Sequence, residues 1–506
     1  MKKKTLALTL AALMLAAALT GCGSGSTDEV QDDSTVTVLA GATSTSFDPL
    51  VYSTTDVWVK NALFDHLVRF DENGEIAPML AESWEDDGMT VALHLRQGAV
   101  SHDGEPINAD DVIFSLDTML QDPTFYFLST YMASWEKVDE YTVAVTKAAA
   151  YCKVLEVLAT YVPIVSMEAY ESMGAEAFAE SPVGTGPYTF TSLGSDNVVT
   201  LTAFADYWDG APAFETLRVR PPIDMATAVI GLENGEIDVI ANVPASQWSI
   251  LEGNEDVVLD TTTGWAQMTL NMLNSMTEDI NLRKAIYHGI NRANAAIVAT
   301  EGTAVEAVDI YADLVMGDLA GTFDVPGYDV ELAQEYLAQS DYVAGTPIVI
   351  TATTAEDVAV AQSIQNDLGQ IGITVEINQV DANNLSSMLL NGELALYSGT
   401  MGGPYLALAD MLLYWETDNP TWGPQVAHDE RYDEICQLLR TETDEDVITE
   451  LTREAMQIQY DLCNFVGPYT SVFSMASRAD IEGATAMNTA TLCYYPGDLA
   501  PAGAAE

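Results

Sequence analysis

A chain of 506 residues, 48% of them hydrophobic, is long enough for two or more domains and rich enough for large cores, which excludes global disorder. Acidic residues outnumber basic ones 76 to 18, for a net charge of −58, and no lysine follows Lys284. A field of that sign repels nucleic acid and anionic lipid and attracts cations and basic peptides; solubility or a salty habitat accounts for it as readily as a ligand does.

Lys2-Lys3-Lys4, the apolar run Thr5–Leu19 and the small-residue close Leu19-Thr20-Gly21-Cys22 have the layout of a secretory signal over residues 1–21. The run falls short of the ~20 residues that span a bilayer. The Leu-Thr-Gly-Cys end resembles a bacterial lipobox, which implies a lipid on Cys22 and an extracytoplasmic protein anchored to the cell membrane. Residues 22–34 carry almost no apolar side chains and are expected to act as a flexible tether.

Thr35–Gly41 alternates and stops at glycine, as a strand does, and Val57–Val68 has helical spacing. Thr90–Leu95 alternates again. Asn108 reads as the N-cap of a helix through Leu120, with Asp110 and Asp111 at the positive end of its dipole. Asn281 is expected to cap a helix bearing Leu282, Ile286 and Ile290, and Asp329 another bearing Leu332, Ala333, Tyr336 and Leu337. Pro347–Thr353, Asp357–Ile371 and Ile373–Ile377 read as strand, helix, strand, the sign of a parallel sheet. Arg431–Arg440 and Val447–Cys463 complete the helices of an α/β body with mixed sheets.

Chemistry of the catalytic kind is hard to find. His66, His94, His102, His288 and His428 form no helical metal pair, and Cys152, Cys436, Cys463 and Cys493 lack metal-type spacing. The four thiols read as buried and free, with a Cys436–Cys463 pair as the alternative. Val183-Gly184-Thr185-Gly186-Pro187 has no third glycine and reads as a structural turn rather than a phosphate loop. No serine nucleophile elbow is found, and no cofactor or metal is expected.

Several segments, in order, resemble the solute-binding proteins of bacterial ABC importers in the oligopeptide, dipeptide and nickel group. They are Ser46–Pro49, Gly74–Trp84 with Leu93–Arg96, His102–Gly104 and Ala109–Val112, then Pro182–Tyr188, Tyr207–Gly210, Asn234–Asp238, Leu282–Ile286 and Leu368–Ile373. Taken as residues, Trp84, Trp208 and Tyr188 read as core, Asp103-Gly104 and Gly184–Gly186 as turns, and Arg283 and Arg96 as members of ion pairs. The resemblance implies a periplasmic-binding-protein-like α/β fold with three lobes: residues 35–73, 188–269 and 471–506; residues 74–187; and residues 270–470. Chain crossings near Leu270-Asn271 and Tyr469 would let the lobes close on a ligand.

The same resemblance implies ligand contacts at Tyr52, Ser53 and Thr54, at Phe125 and Tyr126, at Trp265, and in the loop Tyr397–Tyr405, with Tyr397, Thr400, Met401 and Tyr405 as its candidates. Proteins of this group often carry an aspartate in that loop for a peptide's α-ammonium. Here Thr400 stands in that place and Asp410 lies beyond it, so the ligand is expected not to be held by a free N-terminus. The implied function is a lipid-anchored receptor, expected to be a monomer, that delivers a small solute, an oligopeptide first of all, to an ABC permease. A nickel chelate, an oligosaccharide or another modified solute is the alternative ligand, and a surface hydrolase the alternative class.

Overall fold

The computed structural model describes residues 34–44, 46–51, 56–273, 277–403, 406–419, 423 and 426–503. Among these an eleven-stranded sheet runs through the molecule. Its path begins with Val375–Gln379, Ile348–Ala352 and Leu396–Met401, passes through Val257–Met272 and Phe465–Arg478, and ends with Val239–Ala241, Thr35–Leu39, Thr216–Arg220, Val199–Ala203 and Tyr188–Leu193. A separate antiparallel sheet of four strands holds Ala81–Asp86, Thr90–Leu95, Thr142–Lys147 and Met132–Asp139.

Val257–Met272 and Phe465–Arg478 belong to both ends of the large sheet, and they are the crossings. At one end, residues Gln267–Met272 of the first pair with Leu396–Met401. At the other, Met475–Ser477 of the second pair with Val239–Ala241. Between them the two strands are antiparallel partners, with a register break between Thr263 and Gln267. Gly264 sits in that break with the ring of Phe473 laid across it, so closely that a β-carbon there would overlap the ring.

Each end buries its own core. Met268, Leu270, Ile286, Ile350, Ile364, Leu368, Leu396 and Val466 form one. Leu39, Leu232, Ile237, Ile240, Val243 and Ala476 form another. The largest cluster runs from Val36 and Trp58 through the four-stranded sheet at Leu93 and Val145 to Trp415 and Tyr432. Burial of this kind, at about 25 cal/mol per Å² of apolar surface, is what holds the elements together.

Most of the expected elements form, some with shifted ends. The strand Thr35–Leu39 and the helix Ala109–Met119 are present; the latter has a capping box in which Asn108 and Asp111 exchange side-chain and backbone hydrogen bonds. Ile348–Ala352 is parallel to both Val375–Gln379 and Leu396–Met401. Helix Ala355–Ile371 ends at Gly372 with φ 97°, a left-handed conformation that glycine adopts without strain.

Several local readings change. The helix at Val57 stops at Leu63, because Phe64 turns extended and the chain enters the strand Val68–Phe70. Asp279, not Asn281, caps Ile280–Gly289: its carboxylate accepts the Asn281 N–H at 2.8 Å. Arg283, fully buried, donates among the described residues to the Thr277 carbonyl at 2.5 Å and to the Asn464 side-chain oxygen, and burial lowers its pKa to about 10. Arg96 lies 4.0 Å over the Trp208 ring, a cation–π contact, and among the described residues it makes no ion pair of the kind expected for it.

The Gly184–Gly186 segment is the turn expected of it. His102 clamps it: Nδ1 accepts the Gly184 N–H and Nε2 donates to the Gly186 carbonyl, each at 3.0 Å. This needs a neutral ring, and burial lowers its pKa to about 4. Cys152, Cys436, Cys463 and Cys493 are buried and free, so Cys436 and Cys463 do not pair.

Candidate functional site

In an open α/β sheet, ligands collect beyond the carboxyl ends of parallel strands, because the loops there are free to vary and the helices that follow present their N-termini. This chain has two such sets. Thr35–Leu39 is parallel to Val239–Ala241 on one side of the crossings, and Ile348–Ala352 is parallel to Leu396–Met401 on the other. A cavity of about 400 Å³ is lined by residues that follow strands of both sets. Asn242–Ser246 and Trp248 contribute one wall. Thr400 and Glu356 contribute the opposite wall with Ala299–Glu301 and Thr303, and Ser471–Phe473 of the second crossing strand form the back.

Local chemistry fixes each wall. Asn242 takes a left-handed φ of 53° and donates its N–H to the Ser474 carbonyl at 2.7 Å. The Val243 carbonyl accepts both Trp248 Nε1 at 2.8 Å and Ser474 Oγ at 2.9 Å, so the Asn242–Trp248 segment is tied to the second crossing strand. On the other side, Thr354 and Asp357 form a capping box, and the Asp357 carboxylate also takes Thr353 N–H and Oγ1. That fixes the first turn of the helix and places Glu356 at the cavity. Tyr469, fully buried, donates its hydroxyl to Glu356 Oε1. The Tyr469 hydroxyl titrates above its usual range because of burial and the neighbouring Glu356 carboxylate.

A second constellation joins the four-stranded-sheet region to the far side. Asp410, half-buried in the first turn of helix Leu408–Leu413, accepts the Ala407 N–H at 2.9 Å. Burial raises its pKa to about 7, while that hydrogen bond and the Lys153 charge pull the other way and Glu156 adds to the rise. Lys153 is pushed down and Glu156 up, both by burial. Nearby, Arg440 and Glu416 make a two-pronged pair at 2.8 and 2.5 Å.

Of the residues singled out from the sequence, Thr400 lines the cavity. Tyr397 and Met401 lie on the same strand; the Tyr397 ring folds over Gly399, and Met401 pairs with Gln267. Phe125 is 7% exposed in the turn-like helix Pro123–Thr130, packed beside Phe127 and away from the cavity lining. Tyr126 and Trp265 lie in described backbone, but their side chains, like Cys22, Tyr52, Ser53, Thr54 and Tyr405, fall outside the described residues. Sequence reasoning missed Glu356, Tyr469 and Asn242–Trp248. The strand-then-helix reading of Pro347–Ile371 carried the signal for Glu356, since a residue in the first turn after a parallel strand sits at the binding edge.

No helix among the described residues is long and apolar enough to cross a membrane, and no described group of three or more His, Cys, Asp or Glu is placed to hold a metal ion. A cleft between sheet halves joined by two strands, with polar and aromatic walls, is the architecture of the two-crossing periplasmic-binding-protein class. The chain belongs to the bacterial extracellular solute-binding proteins, family 5, whose middle region matches residues 75–422. Members of this family are solute-binding proteins, not enzymes. Glutathione-binding protein GsiB of Escherichia coli K12 is 28% identical over 362 residues, 69% of this chain and 70% of that protein. The ABC transporter substrate-binding protein CtaP of Listeria monocytogenes has the same fold at TM-score 0.79 and 19% identity, over 92% of this chain and 99% of that one. DppA of Helicobacter pylori, solved with the peptide STSA, superposes at TM-score 0.71 and 21% identity, over 92% and 98%.

Proposed function

We propose that this protein is a surface receptor, anchored through a lipid on Cys22 and tethered by residues 22–34, that captures a short peptide and hands it to an ABC permease. The observation that carries the reading is the cavity of about 400 Å³ at the carboxyl ends of parallel strands on both sides of the crossings, since closure there contacts one ligand from two sides. Residues 35–73, 188–269 and 471–506 act as one lobe, 74–187 as a second and 270–470 as a third. Tyr52, Ser53 and Thr54 offer backbone to the peptide in strand fashion. Tyr126, Trp265 and Tyr405 supply aromatic walls, Thr400 supplies a hydroxyl, and Tyr397 and Met401 flank it on its strand.

A ligand bound by the folded protein alone raises apparent stability by about 2.7 kcal/mol at one hundred times its dissociation constant. Thermal shift against panels of peptides, sugars and metal chelates therefore returns a hit among the peptides, and small-angle scattering shows compaction with that hit. A hit confined to sugars or chelates overturns the peptide reading. A hit without compaction overturns closure.

A further inference from the structure

The back wall of the cavity and the joint between its two sides are built from the same residues. Thr263 pairs with Val472, and Gln267 with Thr470, across the crossing strands. Between those pairs the first strand has residues 264–266, and the second has Ser471 alone. An excess of this kind is a bulge: ladder bonds are lost, the longer strand bows, and twist concentrates there. Ser471, Val472 and Phe473, on the shorter strand, line the cavity.

Both flanks of the bulge are tied down. On one side the Ser474 carbonyl accepts the Asn242 N–H at 2.7 Å, and the Asp260 carboxylate accepts the Ala486 N–H at 2.8 Å. On the other, Gln267 Nε2 donates to the Asp309 carbonyl at 2.8 Å, Thr470 Oγ1 donates to Gln267 Oε1 at 3.2 Å, and Thr470 pairs with Val305. Rotation of one side against the other is therefore confined to the few residues between. Phe473 reaches into them. It stands opposite Thr262, and its ring crosses diagonally to cover the backbone of the buried Gly264. A diagonal neighbour on a sheet is within reach of an aromatic side chain. The ring fills the space that a side chain at position 264 would take. Twisting the bulge drives Gly264 into the ring or away from it, so overlap on one side and lost dispersion contact on the other favour a single angle.

We propose that Phe473 is the positioning residue of this joint: its ring, laid across Gly264, sets the angle at which the two sides of the cleft rest. Because the same residue lines the cavity, the resting angle and the shape of the site are set together. The fraction of molecules in the binding-competent geometry scales the apparent affinity for any ligand. The inference therefore goes beyond the peptide reading and stands whether the solute is a peptide or not.

The test is a pulsed electron-spin distance measurement on the mature chain, carrying Cys22→Ala so that this position takes no label, and with no ligand added. Cys152, Cys436, Cys463 and Cys493 are buried and stay unlabelled. Nitroxides on Asp206→Cys and Glu331→Cys, both exposed positions, report across the cleft. A control pair on Asp206→Cys and Glu252→Cys reports within one side. In Phe473→Ala the cross-cleft distribution broadens about twofold, as a hinge that has lost its stop does, while the control pair is unchanged. Phe473→Tyr keeps the ring and keeps the wild-type distribution. Phe473→Leu keeps bulk without the flat ring and falls between; it decides the matter if the alanine variant does not fold. A cross-cleft distribution as narrow in the alanine or leucine variant as in the wild type overturns the inference. So does equal broadening of both pairs, which marks general loosening, or a tyrosine variant as broad as the alanine one.

Discussion

The ring of Phe473 lies across Gly264 at the point where the two crossing strands slip register. The contact admits no side chain on Gly264, so the crossing is closed over at its midpoint by an aromatic residue that also lines the cavity. Replacing Gly264 with Val overpacks this point and lowers stability by about 1–3 kcal/mol. Phe473→Ala in the same chain makes room and recovers part of the loss. Denaturant midpoints of the two single variants and the double variant check this; strictly additive losses contradict it.

Asp410 makes the packing of helix Leu408–Leu413 dependent on pH. Its pKa in the folded protein, about 7, lies above its ordinary 3.8 because of burial. An acid raised in this way contributes stability in full below its unfolded value, and that contribution is lost as pH rises through the window from about 4 to 7. The groups around it are Lys153 and Glu156, with the Tyr151 hydroxyl and the Cys152 thiol also feeling its charge. Asp410→Asn removes the titration, so melting temperature falls less steeply with pH across that window than in the wild type. Parallel curves for the two proteins refute this assignment.

Asp65 is fully buried and accepts Tyr207 Oη at 3.0 Å and Trp208 Nε1 at 2.6 Å, and burial lifts its pKa to about 7. Its titration has the same sign as that of Asp410, with stability falling from about pH 4 to 7. Removing the acceptor leaves two donors stranded. Asp65→Ala therefore costs about 3 kcal/mol, and Asp65→Asn, which keeps one acceptor oxygen, costs less. Urea unfolding at pH 7 ranks the two; an alanine variant as stable as the asparagine variant rules the account out.

The proposed anchor is a lipid on Cys22. Two or more chains on one residue hold a protein on a bilayer durably, whereas a single chain does so marginally. Cys22→Ala moves the mature protein from the membrane fraction to the soluble extracytoplasmic fraction on cell fractionation. Retention in the membrane fraction contradicts the lipid assignment.

The fold was legible wherever local chemistry and tertiary demand agree. Asn108 with Asp111, Asp329, and Gly372 announce helix ends through side chains or backbone freedom that act within a few residues. The strand–helix–strand pattern from Pro347 to Ile377 announces a parallel pair. The crossings were harder to place. Residues Thr261–Gln267 drew no strand reading from the sequence, although they continue a strand whose partner lies some 200 residues on. The first-turn position of Glu356 was legible in principle, but its meeting with Thr400, Asn242 and Phe473 was not. That cavity gathers five separated stretches of chain, and no periodicity within one stretch encodes its neighbours from another.

The large sheet passes unbroken through both crossing strands, so the two sides of the cleft are not joined by slack loops. Relative rotation has to be taken up as a change of twist in a hydrogen-bonded ladder, concentrated where pairs are missing between Thr263 and Gln267. Under the proposed closure, such a joint would act as a leaf spring rather than a pin, with a preferred resting angle. In the proposed closure, part of the free energy of capture would be held in the strands as elastic strain and would help to reopen the cleft on release.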